Sequence, residues 1–138
     1  MIKLFSDVRL GAEAMEGERV RFNVWAPLAE AVTVEVVSPP TRQVPLTAVG
    51  GGYHQGVAEG LGPGAKYVYR LQKKGPEGET EIGRRPDPAS RRQPEGVHGP
   101  SQVEGTGFRW RHPHWAGLPL SRYIISEIHV GPFTPEGT

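Results

Sequence analysis

From residue 9 to residue 83, hydrophobic and polar positions alternate with a period of two, the pattern of half-buried strands. The clearest case is Arg19–Trp25 (RVRFNVW). There Val20, Phe22 and Val24 fall on one face, and Arg19, Arg21, Asn23 and Trp25 on the other. Val32–Val37 (VTVEVV) repeats the pattern with Val32, Val34 and Val36, and Pro39-Pro40 stops it. Tyr67–Lys73 (YVYRLQK) aligns Tyr67, Tyr69 and Leu71. Weaker alternation predicts shorter strands over Arg9–Ala14, Gln43–Leu46, Tyr53–Ala58 and Thr80–Gly83, and Pro45 confines the second of these to a sheet edge. Turn sequences separate them: Glu16-Gly17-Glu18, Gly50-Gly51-Gly52, Leu61–Gly64 and Lys74–Glu79. Short strands at roughly ten-residue spacing predict an all-β fold, an antiparallel β-sandwich. No window holds a 3.6-residue period long enough for a helix.

The alternation breaks at Arg84–Ser101 (RRPDPASRRQPEGVHGPS). Pro86, Pro88, Pro94 and Pro100 lack an N–H and bias their predecessors away from helix, so neither a helix nor a central strand is expected. A segment of this kind is either a linker or a packed, functional loop. The arginines at 84, 85, 91 and 92 suit a solvated linker, and the alternation of Pro, Asp, Ser and Gly suits turns of fixed geometry. Beyond it lie an aromatic patch at Phe108-Arg109-Trp110 and an irregular stretch from His112 to Leu120. Tyr123–Gly131 (YIISEIHVG) is a predicted strand. It starts apolar on both faces, as strands of a parallel sheet or barrel do. A lone parallel strand cannot pair its own backbone groups, so it implies partner strands that this sequence does not contain.

Composition narrows the function classes. The chain has 138 residues, room for one domain of ordinary size. Its 19 glycines and 14 prolines favour turns over helices. A formal net charge of +1 gives no electrostatic case for nucleic acid or membrane. The absence of cysteine excludes disulfide and thiolate chemistry. Together with the lack of an apolar signal-peptide core in MIKLFSDVRLG, it points to a reducing, cytoplasmic setting. No apolar run approaches membrane-spanning length.

Glycoside hydrolysis needs two positioned carboxylates. Aspartate occurs only at Asp7 and Asp87, both in loop-like sequence, and Glu127, inside the final predicted strand, reads as a structural carboxylate. No catalytic residue is therefore assigned. His112 and His114 flank Pro113 without further ligands nearby, so no metal site is expected. No cofactor is expected either, because there is no phosphate-binding glycine loop, HExxH or GxSxG. His129 falls near the C-terminal end of the final strand, which in a barrel is the catalytic face, and is a candidate for a supporting role at substrate. A pyranose ring stacks on a flat aromatic face. Trp25, Tyr53, Tyr67, Tyr69, Trp110 and Trp115 are the candidates, and Trp25 on the polar face of its strand and Tyr53 are taken as the substrate-binding pair. The arginine cluster is interleaved with Asp87 and Glu95, which favours solvation or interdomain pairing over phosphate binding.

Pro86–Ser101 (PDPASRRQPEGVHGPS) resembles a signature of the maltooligosyltrehalose trehalohydrolases (glycosyltrehalose trehalohydrolases), amylase-superfamily enzymes that release trehalose from the end of a maltooligosyl chain. Glu127–Thr138 (EIHVGPFTPEGT) resembles a second signature of the same family, with Pro132 and Ser126 departing from its usual threonine and tyrosine. Phe22–Pro27 (FNVWAP) and Leu61–Leu71 (LGPGAKYVYRL) resemble the isoamylase-type N-terminal domain grouped with family 48 carbohydrate-binding modules. The resemblance implies an immunoglobulin-like (E-set) β-sandwich over 1–83, a Pro-rich interdomain segment over 84–122 and the first strand of an absent (β/α)₈ barrel over 123–138. It implies that the Pro-rich stretch, with Arg85, Asp87, Arg91 and His98, runs along the interface with that barrel. The catalytic carboxylates of the family lie on later strands, so the chain reads as a non-catalytic module of an enzyme hydrolysing the α-1,4 bond beside a terminal trehalose unit. The implied partners are an α-glucan or maltooligosyltrehalose, through the parent enzyme, and the missing barrel. Two other classes compete. A free-standing α-glucan-binding module would be favoured by an exposed aromatic pair on one sheet face. A structural sandwich would self-associate through an unpaired Tyr123–Val130 edge.

Overall fold

The computed structural model describes residues 9–135 apart from 77, 106 and 108. Asp7, Phe108 and the last three residues of the Glu127–Thr138 stretch lie outside the described residues. The chain divides into two compact units, Met1–Gly107 and Phe108–Thr138.

Among the described residues the first unit has nine strands: β1 (Gly11–Met15), β2 (Arg19–Trp25), β3 (Ala31–Val36), β4 (Arg42–Pro45), β5 (Thr47–Gly50), β6 (Tyr53–Glu59), β7 (Lys66–Lys74), β8 (Thr80–Arg85) and β9 (Ser101–Gln102). They form two antiparallel sheets, one ordered β1-β2-β6-β5 and the other β4-β3-β7-β8, with β9 also paired to β7. The alternation read from the sequence is the alternation that packs. Val20, Phe22 and Val24 of β2 meet Val32, Val34 and Val36 of β3 and Tyr67 and Tyr69 of β7 in one core, and each is buried. Burying each such valine or phenylalanine stabilises the fold by about 1.5–3 kcal/mol. The Phe22 and Tyr67 rings meet edge to face with centroids 5.0 Å apart, and Tyr67 and Tyr69 likewise at 5.8 Å. β4 is an edge strand, as Pro45 requires. The sequence reading lacked β5 and β9. β5 is exposed at all four residues and carries no alternation, and β9 has only two residues.

The Pro-rich stretch does not leave the sandwich. Chain leaving β8 at Arg85 returns to the same edge of β7 as β9, so that β8 pairs Tyr69–Lys74 and β9 pairs Lys66 and Tyr67. Residues 86–100 form a strap between these strands. The Gln102 N–H donates to the Arg92 carbonyl, Val103 N–H to Ala65 and Gly64 N–H to Val103, each at 2.9 Å. Arg91 Nη1 donates to the carbonyl of Ala12 at 2.9 Å, reaching the edge strand of the other sheet. Gly11 permits that approach, because a Cβ there would stand 3.0 Å from the Ala89 carbonyl and its φ is +95°. The Arg91 bond occupies one carbonyl of the β1 edge. The compact unit consequently runs to Gly107 and not merely to residue 83, with Asp87, Ser101 and Val103 buried in it.

In the second unit, Leu120–Arg122 form a 3₁₀ turn and Val130–Phe133 a four-residue helix, α1. The strand expected over Tyr123–Gly131 is not formed: residues 123–129 carry no strand assignment, although Tyr123 and His129 have extended dihedrals. Its cause is the one the sequence names, since no described strand of the chain offers this segment a ladder partner.

Candidate functional site

Trp25 ends β2 on the polar face, directly opposite Tyr53, the first residue of β6. Because their neighbours Val24 and His54 point into the core, the two aromatic side chains share the outer face of the sheet. Trp25 is 56% exposed and Tyr53 half-buried. The indole is held, since Trp25 Nε1 donates to the Gly51 carbonyl at 3.1 Å, and the next residue, Ala26, donates its N–H to Gly52 at 2.8 Å. Gly52 has φ +82°, and a Cβ on it would lie 2.7 Å from Pro27 Cβ and 3.1 Å from the indole nitrogen. Only glycine lets the turn close against the tryptophan.

The other flank of Trp25 borders the strap. A cleft of about 430 Å³ lies among Trp25, Leu71, Arg85, Pro86, Pro88, Gln93 and Val97. A smaller one of about 220 Å³ shares Trp25, Asp87 and Pro88 and continues toward Leu10, Asn23 and Ala89. Gln93 Nε2 donates to the carbonyls of Val97 at 3.0 Å and Gly99 at 3.4 Å, which closes the 93–99 loop. Arg85 is exposed at the rim and turns one guanidinium N–H to the Arg84 carbonyl at 2.8 Å. Arg84 is drawn away to Glu35 on β3, at 2.9 Å.

Asp87 supplies the floor between the clefts, at 3% exposure. Its Oδ2 accepts from the Tyr67 hydroxyl at 2.6 Å and the Tyr69 hydroxyl at 3.2 Å, and its Oδ1 accepts from the Ala89 N–H at 2.8 Å. The Asp87 N–H donates to Ser101 Oγ at 2.9 Å. Burial and then the Asp87 charge beside them push both phenols far above the ordinary tyrosine range. They stay neutral donors, which is what a buried carboxylate needs.

The structure thus brings Trp25, Tyr53, Arg85 and Asp87 to one end of the sandwich. Arg91 is spent on Ala12, His98 is exposed on the strap, and His129 belongs to the second unit at the start of α1. Of the other aromatics, Tyr67 and Tyr69 are core, while Trp110 and Trp115 line a separate cavity of the second unit with Arg109, Arg111, His112 and Pro113. Among the described residues no three His, Asp or Glu side chains gather as metal ligands would. Sequence reasoning missed the role of Asp87 at the floor of this site. Two signals carried it: two core tyrosines at i and i+2 whose hydroxyls need an acceptor, and an aspartate two residues before a free N–H in a proline turn.

Comparison with known proteins bears on the fold and the family. Residues 9–88 match the family model of carbohydrate-binding module 48, the isoamylase N-terminal domain. The chain is 39% identical over 132 residues to a malto-oligosyltrehalose trehalohydrolase of Deinococcus radiodurans, covering 94% of this chain and 20% of that protein. It is 38% identical over 121 residues to the one from Arthrobacter ramosus, covering 86% of this chain and again 20% of the relative. A crystal structure from Salmonella typhimurium, assigned as an alpha amylase, superposes with a TM-score of 0.70 at 33% identity, over 94% of this chain and 20% of that one. The chain therefore spans about a fifth of the length of the curated relatives it matches.

Proposed function

Because the chain belongs to the carbohydrate-binding module 48 family, the isoamylase N-terminal domain of amylase-superfamily enzymes, we propose that it faces an α-glucan through Trp25 and Tyr53. The observation that carries the reading is the cross-strand pairing of these two rings on one outer sheet face, with the indole fixed by Gly51. A rigid, half-exposed ring beside a second one offers stacking area at small entropic cost. The adjoining cleft supplies apolar walls with the few polar groups, Arg85 and Gln93, that orient a ligand. The relatives' names support the reading that the parent enzyme is a maltooligosyltrehalose trehalohydrolase, whose reaction would be hydrolysis of the α-1,4 bond beside the terminal trehalose unit. In that setting the cytoplasm is the compartment, and His98, exposed on the strap, is the residue that would meet a further domain.

Titration with maltohexaose, read by tryptophan fluorescence and by amide and indole NMR shifts, tests the proposal. A saturable response confined to Trp25, Tyr53 and the strap is expected, with a Kd of about 1 mM, or about −4 kcal/mol. Trp25→Ala should abolish it. A flat titration into the millimolar range would instead leave the domain as scaffold, with all recognition elsewhere in the parent enzyme.

A further inference from the structure

We propose that Asp87 is the positioning residue of the Trp25 cleft: its carboxylate fixes Pro86 and Pro88 as the wall that faces the indole. The inference rests on the reading of Trp25 as a sugar contact and extends it to the buried residue beneath the cleft.

Three observations carry it. Pro86 and Pro88 both line the larger cleft with Trp25, and Asp87 lies between them. Each proline has its φ locked near −65°, so orienting the aspartate orients both rings. Asp87 is also anchored through four groups on three segments: the hydroxyls of Tyr67 and Tyr69 on β7, the Ala89 N–H on the strap and Ser101 Oγ on β9. Finally, no arginine or lysine stands within ion-pair distance of it among the described residues. Directional hydrogen bonds from neutral donors, and not a point charge, therefore set its position.

Holding the strap down does not by itself require a carboxylate. A buried charge is costlier than an apolar side chain of the same size, and apolar packing would close the sandwich as well. What the carboxylate adds is orientation, because it can accept from two phenols on one oxygen and a backbone N–H on the other. An amide at this position has one acceptor oxygen, so its NH2 would face either the two phenol donors or the Ala89 N–H. The strap would still be covalently in place, but Pro86 and Pro88 would lose the contact that orients them toward Trp25.

The experiment compares wild type, Asp87→Asn, Tyr69→Phe and Trp25→Ala. For each it measures thermal melting, the Trp25 indole N–H resonance, amide exchange at Ala89 and affinity for maltohexaose. Asp87→Asn should shift the indole resonance, speed Ala89 exchange at least tenfold and weaken maltohexaose binding at least threefold. Tyr69→Phe, which removes only the longer of the two phenol bonds, should do the same to a smaller extent while melting near wild type. It carries the test if Asp87→Asn does not fold. If both variants lower the melting temperature while the indole resonance and the affinity stay at wild-type values, Asp87 is merely structural and the proposal is overturned. Should wild type bind no maltohexaose while Asp87→Asn still moves the indole resonance, the sugar reading fails and the positioning role stands.

Discussion

The Tyr67 hydroxyl donates a 2.6 Å hydrogen bond to Asp87 Oδ2 across 20 residues of sequence. That bond ties β7 to the strap. The bond holds only while the phenol keeps its proton. Both Tyr67 and Tyr69 have folded-state pKa values raised above the unfolded value of about 10, by burial first and by Asp87 second. For a raised group the stabilisation is fully present below the unfolded pKa and is lost as pH climbs above it. Stability should hold up to about pH 10 and then fall by on the order of 1 kcal/mol per pH unit for each phenol. Ultraviolet titration should show two tyrosines ionising only as the chain unfolds. If all four ionise reversibly in the folded state, the two buried bonds are not as described.

Gly52 is a second point where one substitution reads the site. Alanine there would adopt φ +82° and press its Cβ against Pro27 and the indole of Trp25. We expect Gly52→Ala to cost about 1–3 kcal/mol and to move the Trp25 indole resonance. Alanine at Gly50, with φ +96° and open space around it, should cost less and leave the indole unmoved. Chemical denaturation with an NMR readout separates the two. Equal effects would mean that the contact with Trp25 is irrelevant.

Much of this arrangement was legible in the sequence because it rests on alternation. Val20, Phe22, Val24, Val32, Val34 and Val36 sit where a period of two places them, and the polar-face position of Trp25 marked it as exposed. The alignment of Tyr53 with Trp25 was not legible, since β2 and β6 pair across β3, β4 and β5 and no turn joins them to fix their register. Asn23 shares a face with Trp25 and is nevertheless buried, with Nδ2 donating to the Arg9 carbonyl at 3.2 Å. No periodicity announces a side chain covered by a neighbouring segment. The strap was ambiguous for the same reason: its order comes from Asp87, Ser101 and Arg91 finding partners 14 to 79 residues away.

That distribution of contacts predicts where the chain can be cut. The buried network of the first unit closes at Val103, and the unit ends at Gly107. A chain of residues 1–107 should melt cooperatively with a dispersed NMR spectrum. One of residues 1–83 would lack Asp87, Ser101 and Val103 and leave the hydroxyls of Tyr67 and Tyr69 without their acceptor. An unsatisfied buried polar group costs about 1–3 kcal/mol, a large share of a small domain's stability. The shorter chain should melt at least 10 °C lower, at roughly 4–8 °C per kcal/mol. Matching melting curves would return the strap to the role of a linker.

The second unit bears on self-association. Ile124 is 97% exposed, Ile125 77% and Ile128 57%, in a segment with no described ladder partner. Exposed apolar chain with free backbone groups is a template for pairing with another chain. Sedimentation should show mass action toward dimer at micromolar to millimolar concentration, and Ile125→Lys should return the chain to monomer. A monomer across that range would remove the self-pairing reading.

Core and surface contributions should separate by size. Glu35 links Arg84 at 2.9 Å and Arg70 at 3.8 Å across three strands, but on the outer face, where the Arg84 side chain is 59% exposed. Exposed ion pairs contribute at most about 1 kcal/mol and are screened by salt. Phe22, with no exposed surface, packs its ring against Tyr67 at the centre of the core. Phe22→Ala should cost about 3–5 kcal/mol, whereas Glu35→Gln should cost less than about 1 kcal/mol, and less still in high salt. Urea denaturation of both variants at two salt concentrations makes the comparison. A loss at Glu35 that rivals Phe22 and ignores salt would mean that the Arg70–Glu35–Arg84 bridge, and not the alternating core, holds β3, β7 and β8 together.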